Sequence, residues 1–358
     1  MIKSTKLFYL LSTCLLLFFT ACTSDNDGIA PVIEEQEQPE TIVVSLNPDG
    51  DFNVTNEATT RGTATNDLYA INVYYDKNSD GNINTHYAYG FFDNKEDMVI
   101  TLLARHKYKF ECTLVKDGKN SLFYGQAGDS SYGYAYPFQT NSSVATRLQN
   151  QFTISESVYF TGIQNGNVHI KGASSPNTNY NYSSYASVNR FYGETTDYTP
   201  VVGGKVSIYL KRTVFGAKFV ITGITNGTLT ADCKIGNVSI WNVSTTENDE
   251  GTAKIYSYLD VYDCWKNESN LSATVSINFK VSAERWNQYD ININTSQAVT
   301  FKRNVLTTVN IDVSNPDLKS NGAIFSITEE EFDEDNNIDL YLTSDGYIDI
   351  VVDPNEEP

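Results

Sequence analysis

The stretch LYAINVYYDKNSDGNINTHYAYGFF, residues 68–92, decides the fold class. Residues 68–75 are rich in aromatic and β-branched side chains, which suit a half-buried pleated surface. Residues 86–92 repeat that character. Between them lies a polar loop holding Asp80-Gly81, a hairpin signal. Two strands joined by a turn are predicted, and no helical period runs through either.

The same pattern extends outward. Residues 41–46 form a β-rich run closed by Asn47-Pro48-Asp49-Gly50, which reads as a turn. Strands are predicted at 99–103 and 108–115, the second stopped by Lys116-Asp117-Gly118-Lys119. In the second half they are predicted at 206–211, 217–224, 236–243, 253–260, 271–281, 298–302 and 305–313. A tail hairpin is predicted from 338–342 and 347–352 around Ser344-Asp345-Gly346. Helical candidates are short, at 143–149 and near 262–267. Parallel α/β architecture needs intervening helices, so the expected class is all-β, with two antiparallel β-sandwich domains in tandem.

Residues 173–200 are dominated by Ser, Asn and Tyr and lack apolar alternation. They read as a long loop, which sets the expected domains at 62–200 and 201–358.

Composition agrees. Of 358 residues, 40% are hydrophobic, 13% aromatic and only 19% charged. That mix excludes a coiled coil and a disordered chain. The net charge of −19 is concentrated at the ends. Residues 23–60 hold nine carboxylates and residues 320–358 hold twelve, neither segment with a Lys or Arg, while 61–319 balance 23 acids against 23 bases. A neutral body without a basic patch argues against nucleic acid as a partner.

Lys3 and Lys6 precede an apolar run from residue 7 to 19 and then Thr20-Ala21-Cys22. The run is short for a membrane span. It resembles a bacterial lipoprotein signal over 1–21, with Cys22 as the lipidated residue, although a plain secretory signal shares the charged and apolar regions. The acidic run after Cys22 resembles the surface-export signal of lipoproteins in anaerobic Gram-negative bacteria. That resemblance implies an outer-membrane, cell-surface location. Residues 22–61 then read as an acidic tether followed by the 41–46 strand.

Residues 76–84 follow the start of a calcium loop, with Asp76, Asn78 and Asp80 at positions 1, 3 and 5 and Gly81 at position 6. Position 12 is Tyr87, where a bidentate Glu belongs, and the flanks are strands. A hairpin loop is the competing account. No other cofactor is expected. The hydrolase, phosphate-loop and dinucleotide motifs are absent, and His86, His106 and His169 are scattered, so no enzyme is expected. Cys112, Cys233 and Cys264 form no metal pattern. A Cys233–Cys264 bridge is one option, three buried thiols the other.

The segments Asn189-Arg190-Phe191-Tyr192-Gly193, 206–220 (VSIYLKRTVFGAKFV) and 302–311 (KRNVLTTVNI), placed after the leader and Thr60-Arg61, together resemble the fimbrillin-like superfamily of FimA-type fimbrial subunits. The resemblance spans roughly residues 1–315 and rests on order and spacing. It implies two transthyretin-like sandwiches. It also implies protease cleavage between Arg61 and Gly62, loss of the 41–46 strand, and replacement by a strand from another fimbrial subunit. The 338–352 hairpin is the candidate donor. Shaft, tip and anchor roles stay open. The alternative is a surface glycan-binding lipoprotein of a polysaccharide-uptake system, using Trp241, Trp265, Trp286 and the tyrosines of 180–198.

Overall fold

In the computed structural model, residues 40–50, 66–126, 132–142, 146–175, 178–281, 291–317, 322–331, 339–342 and 348–351 are described. The signal segment, Cys22, Arg61, Gly62 and Trp286 lie outside the described residues. Residues 40–358 form one compact unit by internal contacts.

The chain is nearly all β. Its first strands are β1 (Thr41–Gly50), β2 (Leu68–Tyr75), β3 (Thr85–Phe92), β4 (Val99–Leu103) and β5 (Tyr108–Val115). Then come the one-turn α1 (Gly118–Ser121), β6 (Tyr124–Gln126), β7 (Tyr132–Tyr134), β8 (Gln151–Ile154), β9 (Val168–Ser175), β10 (Thr178–Ser183) and β11 (Arg190–Tyr198). The second half holds β12 (Lys205–Arg212), β13 (Val214–Thr222), β14 (Thr228–Ile235), β15 (Val238–Thr245), β16 (Lys254–Ser257), α2 (Val261–Asn267), β17 (Leu271–Val281), β18 (Ile291–Phe301), β19 (Val305–Asp317) and β20 (Gly322–Glu331). The expected tail hairpin is β21 (Asp339–Leu342) with β22 (Ile348–Val351).

Eight strands form one sheet in the order β4-β1-β12-β11-β5-β2-β3-β8. Its edges β4 and β8 come into contact, so the sheet curls round a core. Alternation puts Ile71, Val73, Phe110, Cys112, Ile208 and Leu210 inside that curl. The opposite face is covered by Phe138, Phe160, Ile163 and Val168 from the long connection, and by Val261 of α2. In the second half, β16-β13-β19-β20 and β15-β14-β17-β18 contribute to a single core through residues such as Phe215, Phe219, Val275, Phe279 and Val309.

Several sequence expectations are corrected. The Asn47–Gly50 segment is not a turn: β1 runs on to Gly50, because Asn47 to Gly50 pair with Ser207 to Leu210. That pairing is parallel, as is β13 with β19, so the sheets are not purely antiparallel. Both parallel pairs join strands far apart in sequence, which gives the chain room for the required crossover. The 173–200 stretch is not a loop but contains the end of β9 and all of β10 and β11. β12 is hydrogen-bonded to β11 within the first sheet. β14 was not foreseen, and no helix is present over the described part of 143–149.

Candidate functional site

The candidate site is the seat of β1. Val44 and Leu46 point into the core of the curled sheet, whereas Val43, just before them, is exposed. The first half of β1 pairs antiparallel with β4, from Thr41 opposite Leu103 to Ser45 opposite Val99. The second half pairs parallel with β12, from Ser45 opposite Lys205 to Gly50 opposite Leu210. The two neighbours overlap only at Ser45. β4 has no strand partner other than β1 among the described pairings. β1 is therefore a splint that joins β4 to the rest of the sheet.

Local contacts fix the splint at both ends. Ala104 N–H donates to the Glu40 carbonyl at 2.8 Å, and Leu46 N–H donates to the Met98 carbonyl at 2.8 Å. Lys95 Nζ donates to the Pro48 carbonyl at 2.9 Å. Gly50 closes the strand with φ +150°; a Cβ there would stand 1.9 Å from the Leu210 carbonyl oxygen. Only glycine allows this approach. Withdrawing β1 would uncover Val44 and Leu46, each stabilising by about 1.5–3 kcal/mol when buried. It would also leave facing backbone groups of β4 and β12 unpaired, a template for an incoming strand. Arg61 and Gly62 follow β1 in sequence, outside the described residues.

The three calcium candidates lie in different surroundings. Asp76 is buried; its Oδ1 accepts from Lys107 N–H at 2.7 Å and lies 3.4 Å from His106 Nδ1. Asp80 Oδ1 accepts from Asn82 N–H at 2.8 Å, within the turn that Gly81 completes at φ +82°. Asn78 is exposed. Among the described residues, no group of three or more His, Cys, Asp or Glu side chains gathers as a metal site.

Of the glycan-binding candidates, Trp241 and Trp265 are engaged in packing. Trp241 stacks on Phe219 at 4.1 Å and 8°. Trp265 stands edge-on to Tyr192 at 5.5 Å. Cys112, Cys233 and Cys264 are buried and unbridged, and burial pushes the Cys233 thiol up to about 12. The three histidines lie apart: His86 under Ser155, His106 beside Asp76, His169 in β9.

One cluster carries no sequence signal. Glu111, buried on β5, accepts from Tyr74 Oη at 3.1 Å, Lys109 Nζ at 2.6 Å and Gln164 Nε2 at 3.2 Å. Gln164 also donates to Tyr192 Oη at 3.2 Å, and Tyr192 donates to Glu194. Burial, aided by Glu111, raises the Glu194 carboxyl above its usual range. The pleat aligns Lys109 with Glu111 and Tyr192 with Glu194, while Tyr74 and Gln164 reach them from other segments.

No family model and no curated protein matches the chain. Among solved structures it is similar to a candidate cell adhesion protein from Bacteroides eggerthii, at 7% identity and TM-score 0.36, covering 82% of this chain and 96% of that one. It is similar to the C-terminally truncated tip fimbrial protein Mfa3 from Porphyromonas gingivalis, at 10% identity and TM-score 0.33, covering 82% and 100%. It is also similar to the fimbrial anchor protein Mfa2 of that organism, at 10% identity and TM-score 0.30, covering 82% and 98%. At these scores the likeness carries no argument about role, which rests on the chain's own residues.

Proposed function

We propose that this chain is a non-enzymatic cell-surface protein of an adhesive fimbria, built from two sandwich units and assembled by strand exchange. The observation that carries it is the seat of β1: a strand near the start of the described chain, inserted between β4 and β12 and required to hold them together. In this account Cys22 carries lipid and brings the precursor to the outer membrane. Cleavage between Arg61 and Gly62 frees β1, and a strand from another fimbrial subunit takes its place, parallel to β12 and antiparallel to β4. The β21–β22 hairpin is the candidate donor.

Limited trypsin digestion of the folded protein tests this. Cleavage after Arg61 should precede cleavage at the other basic sites and should be followed by concentration-dependent oligomers. A cut protein that stays monomeric rules out strand exchange.

A second reading, a surface glycan-binding lipoprotein, is favoured by exposed rings: Tyr124, Tyr132 and Tyr182 are each at least half exposed. Trp241 and Trp265, first considered for that role, are engaged in packing.

A further inference from the structure

We propose that the β6–β7 ribbon is a binding platform for an acidic saccharide, whose sugar ring stacks on Tyr124 and Tyr132 while its carboxylate meets Arg147. Tyr124 pairs with Tyr134, Gly125 with Gly133, and Gln126 with Tyr132. Cross-strand partners share a face, so Tyr124, Tyr132 and Tyr134 lie on one side and two glycines on the other. The glycine side is closed by packing: a Cβ at Gly125 would stand 2.5 Å from the Phe123 ring. On the tyrosine side Tyr134 is buried in the core, while Tyr124 and Tyr132 are exposed beside it.

Tyr134 anchors the platform. It is buried edge-on against Phe91 at 5.5 Å and against Phe138 at 6.4 Å. It also exchanges two backbone bonds of 2.9 Å with Thr146. Tyr124 stands edge-on to Tyr134 at 5.0 Å. Yet Tyr124 is 50% and Tyr132 60% exposed. Rigid, half-exposed tyrosines give large amphipathic contact at low entropic cost.

Charge selects the ligand. Arg147 is exposed and sits at the ribbon's edge, its Nε donating to the Tyr132 carbonyl at 3.3 Å. Among the described residues no carboxylate pairs with it, although acids outnumber bases in the whole chain. A guanidinium beside aromatic side chains suits a sugar ring that carries a carboxylate. The large apolar residues exposed on this ribbon are tyrosines, whereas Val43, Val99, Val201, Val202 and Ile327 are exposed elsewhere.

This inference does not depend on strand exchange, and an Arg61→Ala chain that resists cleavage must bind equally. The test is titration calorimetry with saturation-transfer NMR on the full-length chain, using tetragalacturonate and sialyllactose as acidic probes and maltotetraose as a neutral one. At least one acidic probe should bind more tightly than maltotetraose. Tyr124→Ala and Tyr132→Ala should each weaken it by about tenfold, the scale of one aromatic contact. Tyr132→Phe should retain binding, and Arg147→Ala should abolish the acidic preference. Tyr182→Ala, on a different ribbon, should change nothing. Thermal unfolding checks that each variant folds. Absence of binding by both acidic probes, equal loss in Tyr182→Ala, or binding of a poly-glutamate peptide in place of the sugars would overturn the proposal.

Discussion

The guanidinium of Arg190, wholly buried at the start of β11, donates through Nη2 to the Ile163 carbonyl at 2.7 Å. Nη2 also donates to Gly162 at 2.8 Å, Nη1 to Asn165 at 2.5 Å, and Nε to Thr113 Oγ1 at 3.1 Å. Carbonyls and a hydroxyl, not a carboxylate, hold the charge. Burial pulls Arg190 down to about 9, which leaves it protonated at neutral pH. The clamped loop bonds onward to the approach to α2: Gly166 N–H donates to Leu259 at 2.7 Å, and Val261 N–H donates to Gln164 at 3.1 Å. Arg190 thereby ties the first sheet to the segment that covers it. Arg190→Met should cost about 3–5 kcal/mol, because several buried acceptors lose their donor together. Urea unfolding measures this, and Arg190→Lys should recover little of it, since an ammonium cannot fork to four acceptors.

Acid should destabilise the fold through His86. Its Nδ1 donates to the Ser155 carbonyl at 2.7 Å, and burial lowers its pKa below 6.5, against the opposing pull of that bond and of Glu111. His169 is lowered by burial as well. The unfolded chain takes up these protons as pH falls through 6.5 and the folded chain resists. Their contribution is therefore complete above pH 6.5 and is lost below it. Glu194, raised by burial, acts in the opposite sense nearer its usual 4.5. Thermal midpoints should fall between pH 7.5 and 5.5, and His86→Gln should flatten that slope.

Much of the first sheet was legible. Residues 68–75, 99–103 and 108–115 match β2, β4 and β5, because alternation and turn residues agree there. The site was half legible: 41–46 reads as a strand, but nothing local reveals that it bridges β4 and β12, which is a matter of long-range register. The Asn-Pro-Asp-Gly turn signal was overridden by pairing with β12. β10 and β11 escaped notice because Asn, Ser and Tyr carry no apolar period; cross-strand partners, such as Tyr182 opposite His169, hold them extended. Arg190 was read as part of a resemblance, and its burial has no sequence signature.

Calcium should bind weakly at most, in the ~10⁻⁴ to 10⁻³ M range of extracellular modules. The Asp76 carboxylate is already engaged by Lys107 N–H. Asp76→Ala should cost about 1–3 kcal/mol with or without calcium, through that lost acceptor. Asp80→Ala, on an exposed turn, should be near neutral. A sub-micromolar site in calorimetry, lost in Asp80→Ala, would contradict this.

Lipid attachment is tested by Cys22→Ser. The variant should leave the membrane fraction and lose surface protease sensitivity. Unchanged fractionation would mean that another part of the chain anchors it.

The most direct test of the central claim follows β1 itself. The protein is cut after Arg61, and the 41–50 strand is traced by mass spectrometry while hydrogen exchange is read at β4 and β12. We predict that the excised strand is displaced by an added peptide spanning 338–352. Protection at Ile100 and Leu102 of β4 and at Ile208 of β12 should collapse in the gap and return with the peptide, and cut chains alone should oligomerise. Retention of 41–50 with unchanged protection, in a cut chain that stays monomeric at high concentration, would contradict the account and make β1 a permanent strand of the first sheet.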